Sequence, residues 1–63
     1  MKLTLKEWRR AKGISQKAMA DHIGVHVNTY TSWEENPGEM RLSKAVLIAE
    51  KLEIPLDDIL FTR

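Results

Sequence analysis

The side chains best equipped for recognition chemistry cluster in one stretch, "GVHVNTYTSWEE", residues 24–35. Asn28, Thr31, Ser32 and Glu35 recur at helical spacing, while Tyr30 and Trp33 take the opposite side. A solvated helix face ordinarily carries Lys and Glu. This one carries short hydrogen-bonding groups. Asn pairs bidentately with adenine, Ser and Thr bond to many base edges, and Val27 and the Thr31 methyl suit the thymine methyl group. A second set is cationic or polar and suits phosphate: Gln16 and Lys17 at one helix start, Arg41 and Lys44 at another, with the Tyr30 hydroxyl within reach.

Catalysis and metal binding find little material. Asp57 and Asp58 are adjacent, and successive helical residues do not face each other. The three glycines are scattered, so no phosphate-cradling loop exists, and Ser15 has no histidine placed by a motif. His22 and His26, without cysteine or a carboxylate cluster, make a poor metal site. Neither enzyme activity nor a cofactor is expected.

The bulk numbers agree. Sixty-three residues make one domain, 1–63, with 43% hydrophobic residues and no cysteine. A reducing, cytoplasmic setting is expected, and no apolar run approaches the roughly 20 residues of a membrane span. Net charge is only +1 but unevenly placed: residues 1–33 carry six basic against two acidic side chains, residues 34–63 four against seven. A polyanion would meet the first half and avoid the second.

Helix signals position these groups. Thr4-x-x-Glu7 is a capping box, with Leu3 and Trp8 at staple spacing, and opens a helix that stops at Gly13. Ser15 caps a second helix ending at Gly24. A third runs from about Val27 to Glu35, stopped by Pro37 and Gly38. A fourth covers "LSKAVLIAEKL", with Leu42, Ala45, Val46, Ala49 and Leu52 as its expected buried stripe. Glu53 stands where a glycine would be comfortable, which predicts a strained end. Pro55 opens an expected short fifth helix, "LDDIL". The reading is all-α, five helices.

Two consecutive helices joined by a short glycine turn form a helix-turn-helix, here residues 16–35. Met19, Ala20, Ile23, Val25, Tyr30 and Trp33 point inward in that unit. Val27, Asn28, Thr31 and Ser32 then point outward, on the face such a unit lays in the DNA major groove.

"SQKAMADHIGVHVNTYTSWEEN" resembles the helix-turn-helix of the lambda-repressor-like family, also called the XRE or Cro/C1-type family. "RRAKGIS" before it and "LIAEKLEIPLDDIL" after it extend the likeness over nearly the whole chain. The resemblance implies a compact five-helix domain that binds double-stranded operator DNA as a two-fold dimer and regulates transcription. It implies base reading by His26, Val27, Asn28, Thr31 and Ser32, phosphate binding by Gln16, and a buried ion pair between Arg9 and Glu34. His26 stands where the family usually has Ser or Thr, which predicts a less well capped third helix. At 63 residues the chain resembles a stand-alone Cro-like or small XRE repressor. Leu60 and Phe61 either close the core or form a small contact in a weak homodimer. The rival reading is a protein-interaction module on the same scaffold, an antitoxin-like or anti-repressor partner, favoured by the acidic second half.

Overall fold

In the computed structural model, which describes residues 2–61, the chain opens with the expected capping box. The Thr4 hydroxyl oxygen accepts from the Glu7 backbone N–H at 3.2 Å, and a Glu7 carboxylate oxygen accepts from the Thr4 N–H at 2.9 Å. These two bonds start α1, Leu5–Ala11. Gly13 then takes a left-handed φ of +70° and turns the chain. The Ser15 hydroxyl oxygen accepts from the Ala18 N–H at 3.0 Å and starts α2, Gln16–Ile23. Gly24, at φ +76°, closes α2 and allows the abrupt entry into α3, Val27–Glu35. One 3-10 turn, Pro37–Glu39, leads to α4, Leu42–Leu52.

Leu5, Met19, Ala20, Ile23, Tyr30, Ile48, Ala49, Leu52 and Ile59 form the buried core. Ala20 is fully buried on α2, and α2 and α3 pack against each other. Its small side chain is what allows close approach. Trp8, Val25 and Trp33 pack around the core half-buried. The Trp8 indole N–H donates to the Asp58 carbonyl at 2.8 Å, pinning the segment after α4 to α1.

Two expectations are corrected. First, the described residues contain four α-helices, not five. After Pro55 the chain makes one 3-10 turn, Leu56–Asp58, and then a strand, Ile59–Leu60 (β2). That strand pairs in parallel with Leu3–Thr4 (β1), Leu3 opposite Ile59 and Thr4 opposite Leu60. A short helix satisfies few of its own backbone groups. A neighbouring extended strand offers partners at once. The fold is mostly helical, fastened by one small parallel pair.

Second, the buried stripe of α4 is Ala45, Ile48, Ala49 and Leu52. Leu42 is 70% exposed, and Val46 and Leu47 are also exposed. Both stripes fit a helical period, and they share Ala45, Ala49 and Leu52. Packing against α2 selects the one containing Ile48. The strain expected at Glu53 is present: it is a non-glycine residue in the left-handed region, at φ 59°.

Candidate nucleic-acid interface

Tyr30 sets the rotation of α3. Its side chain is fully buried, which turns the far side of the helix to solvent. Asn28 and Thr29 are exposed there, and Thr31 and Ser32 are half-exposed. Val27 departs from expectation: it leans on the core and leaves only part of its surface outward. Thr29 was missed by sequence reasoning. It lies on the flank beside Trp33, and no period-based stripe includes it.

The hydroxyls on this face are already in use as donors. Thr31 Oγ1 donates to the Val27 carbonyl at 2.9 Å, and Ser32 Oγ donates to the Thr29 carbonyl at 2.7 Å. Both therefore turn lone pairs outward, the complement of the amino groups of adenine and cytosine. The exposed Asn28 carboxamide offers both a donor and an acceptor.

His26 caps the helix. Its Nδ1 accepts from the Asn28 backbone N–H at 3.0 Å. The helix expected to be less well capped does have a side-chain cap, with an imidazole nitrogen in the place of a Ser or Thr oxygen. An accepting Nδ1 also fixes the tautomer, so Nε2 carries the hydrogen and is a donor. Cap and contact are compatible, because they use different nitrogens.

Beneath the face lies a polar knot. Arg9 Nε meets Glu34 Oε2 at 2.5 Å, with side chains 10% and 3% exposed. Arg9 Nη1 donates to the Ile14 carbonyl at 2.8 Å. Gln16 Nε2 donates to Glu34 Oε1 at 3.0 Å. Burial pushes the Glu34 carboxyl up, but the hydrogen bonds from the Arg9 guanidinium and the Gln16 amide hold the group below its ordinary value. The Arg9 guanidinium is raised, chiefly by its bond to Glu34. Burial pushes the Tyr30 phenol far up. Its hydroxyl lies near the pair yet finds no hydrogen-bond partner among the described residues. The phosphate contact expected of Tyr30 is thus corrected: the oxygen is sealed inside the fold.

The remaining cations are unevenly free. Lys17 is exposed and weakly paired with Asp21 at 3.4 Å, one helical turn on. Arg41 is exposed at the start of α4. Lys44 is drawn inward, its Nζ donating to the Ile23 carbonyl at 2.9 Å, where a cation suits the C-terminus of α2. Lys6, which the sequence did not single out, lines a cleft with Gln16, Thr31, Glu34 and Glu35. It sits on α1, and only the fold brings it beside the start of α2. Leu60 and Phe61 are half-buried. Leu60 belongs to β2, and Phe61 packs on the core beside a groove with Met40 and Leu42.

Comparison with known proteins agrees with this geometry. A family model described as helix-turn-helix matches residues 5–59. The cryptic phage CTXphi transcriptional repressor RstR of Vibrio cholerae serotype O1 (strain ATCC 39315 / El Tor Inaba N16961) is 34% identical over 59 residues. That alignment covers 94% of this chain and 53% of the repressor, so the chain spans about half the length of the curated relative it matches.

Proposed function

The chain belongs to the lambda-repressor-like (XRE-type) helix-turn-helix family, and from that membership we propose that it is a sequence-specific, double-stranded DNA-binding transcriptional regulator. It acts as a repressor that reads the major groove with α3. The observation that carries this reading is the division of α3. Its aromatic side is consumed by the core, while Asn28 stands exposed among short polar neighbours that folding does not require. The likeness to a phage repressor supports repression as the mode of action.

Asn28 is the principal base reader. His26 contributes its Nε2 hydrogen, Thr31 and Ser32 their lone pairs, and Thr29 and the exposed part of Val27 complete the face. Gln16, Lys17, Arg41 and Lys6 contact phosphate, joined by the remaining ammonium hydrogens of Lys44. The domain binds as a weak homodimer, two-fold on its operator, with Phe61 and its groove at the contact between copies. It works in the cytoplasm, on the nucleoid.

Selection from a random duplex pool supplies the site, and titration against salt tests the division of labour. Phosphate contacts predict a steep loss of affinity as salt rises. Asn28→Ala should cost about 1–3 kcal/mol on the selected site and little on random duplex. Lys17→Ala should weaken both alike. If the two variants behave identically on both duplexes, the assignment of reading to α3 is refuted.

A further inference from the structure

We infer that Glu34 is a positioning residue for DNA binding: it acts through Gln16, fixing which end of that carboxamide is presented to a phosphate. The inference rests on the DNA-binding reading above and gives this carboxylate a duty beyond its ion pair.

The carboxylate divides its oxygens. Oε2 takes Arg9 Nε at 2.5 Å. Oε1 is only loosely approached by Arg9 Nη2, at 3.4 Å, and its closer partner is Gln16 Nε2, at 3.0 Å. A carboxylate only accepts, so the nitrogen of Gln16 must face it. With the amide reversed, two oxygens would oppose each other. The carbonyl oxygen of Gln16 then lies 3.5 Å from Thr31 Oγ1, whose one hydrogen goes to the nearer Val27 carbonyl.

An amide nitrogen has two hydrogens, and Glu34 uses one. The other remains for a ligand in the open cleft, about 220 Å³, that Gln16 shares with Lys6, Thr31, Glu34 and Glu35. This matters because an unheld glutamine at a helix start turns either end to solvent. Its oxygen repels a phosphate, and freezing the correct rotamer on binding subtracts from affinity. Here the rotamer is chosen during folding. The support is firm: Arg9 Nε holds Glu34 Oε2, and the same guanidinium is tied to the Ile14 carbonyl. A chain of polar contacts thus runs from α1 through the interior to the first residue of α2.

The test is Gln16→Ala measured in two backgrounds. One is the native chain. The other carries Arg9→Met with Glu34→Leu, an apolar exchange of a kind that folding often tolerates. In the native background, loss of a hydrogen bond to a charged group should weaken binding to the selected duplex by about tenfold. In the apolar background the same substitution should cost about twofold or less, since the amide is no longer held. The Gln16 side-chain amide should also be rigid by nitrogen relaxation in the native protein, with proton shifts displaced from free-glutamine values, and become mobile with shifts returning toward those values in the exchange. If the apolar exchange does not fold, Glu34→Asp replaces it. That variant keeps a charge for Arg9 while drawing the carboxylate back from Gln16, and it should reproduce both effects. An equal cost in the two backgrounds, no cost in the native one, or a mobile Gln16 amide in the native protein overturns the inference and leaves the DNA-binding reading standing. A native chain with no salt-dependent duplex binding overturns both.

Discussion

α3 and α4 are made of opposite materials. α4 is rich in Ala, Leu, Glu and Lys, all strong helix formers, and it needs no side-chain cap: its start makes none. It is held by a generic device, the stripe of Ala45, Ile48, Ala49 and Leu52. α3 is rich in β-branched and short polar residues, which favour helix weakly. It is held by specific devices: the His26 cap, buried Tyr30, and Glu34 locked to Arg9 and Gln16. A helix stabilised from beneath by such contacts is free to carry, on its outer side, residues that folding would never choose. That contrast separates a scaffold helix from a reading helix without reference to any ligand.

The comparison is broken most severely from below. Arg9→Met alone should cost about 3–5 kcal/mol, because it strands the Glu34 carboxylate in the interior. That is most of what a core of this size supplies, so loss of the helical circular-dichroism signal at room temperature is the expected readout. Adding Glu34→Leu should restore much of the stability, since no buried charge then remains. The same knot shapes the dependence on pH. Glu34 is held below its ordinary value of 4.5, so its contribution is present above that value and is lost as pH falls through the lower folded one. Tyr30 is raised above its ordinary value of 10.0, so its contribution is present below that value and is lost as pH climbs beyond it. Urea midpoints should form a plateau that falls away on both sides. A flat acid limb would show that Glu34 is not the carboxylate that matters.

α4 should respond differently, by position. Ile48→Ala removes a fully buried side chain and should cost about 2–5 kcal/mol in urea unfolding. Leu42→Ala should stay within about 0.5 kcal/mol in the same measurement. Had the stripe read from the sequence been the buried one, these two results would be exchanged.

What could be read in advance follows a physical line. The capping box at Thr4 and Glu7, the Ser15 cap and the left-handed Gly24 depend on neighbours within a few residues, so composition and spacing suffice to find them. The outward turn of Asn28 was likewise legible, because Tyr30 and Trp33 two and five positions on had to go inward. Contacts that join distant residues were not, apart from the Arg9–Glu34 pair, which the family resemblance implied. Nothing in "LDDIL" announces that Ile59 and Leu60 pair with Leu3 and Thr4, and nothing near Lys6 announces that it shares a cleft with Gln16. The overlapping stripes of α4 could be separated only by knowing which side α2 occupies. The burial of the Tyr30 hydroxyl was missed for a related reason: a phenol reads as amphipathic until the fold decides whether its tip emerges.

A small gain in stability sharpens the comparison at its other end. α4 has strong propensity and a strong stripe, yet it finishes badly. Glu53, in the left-handed conformation at φ 59°, closes it with N–H bonds to the Ala49 and Glu50 carbonyls. That conformation crowds the Cβ of an L-residue at a cost of roughly 1–2 kcal/mol. Glycine has no Cβ to crowd, though it gives back some of the gain, roughly 0.4–1 kcal/mol, through greater freedom in the unfolded chain. The two terms leave Glu53→Gly stabilising by about 0.5–1 kcal/mol. Since Glu53 is exposed and far along the sequence from α3, the gain should appear in thermal unfolding while duplex affinity stays unchanged. A substitution that raises stability without touching affinity is what a scaffold helix permits. An equal substitution that altered affinity would show that α4 is not merely scaffold, and that the separation between the two helices is drawn in the wrong place.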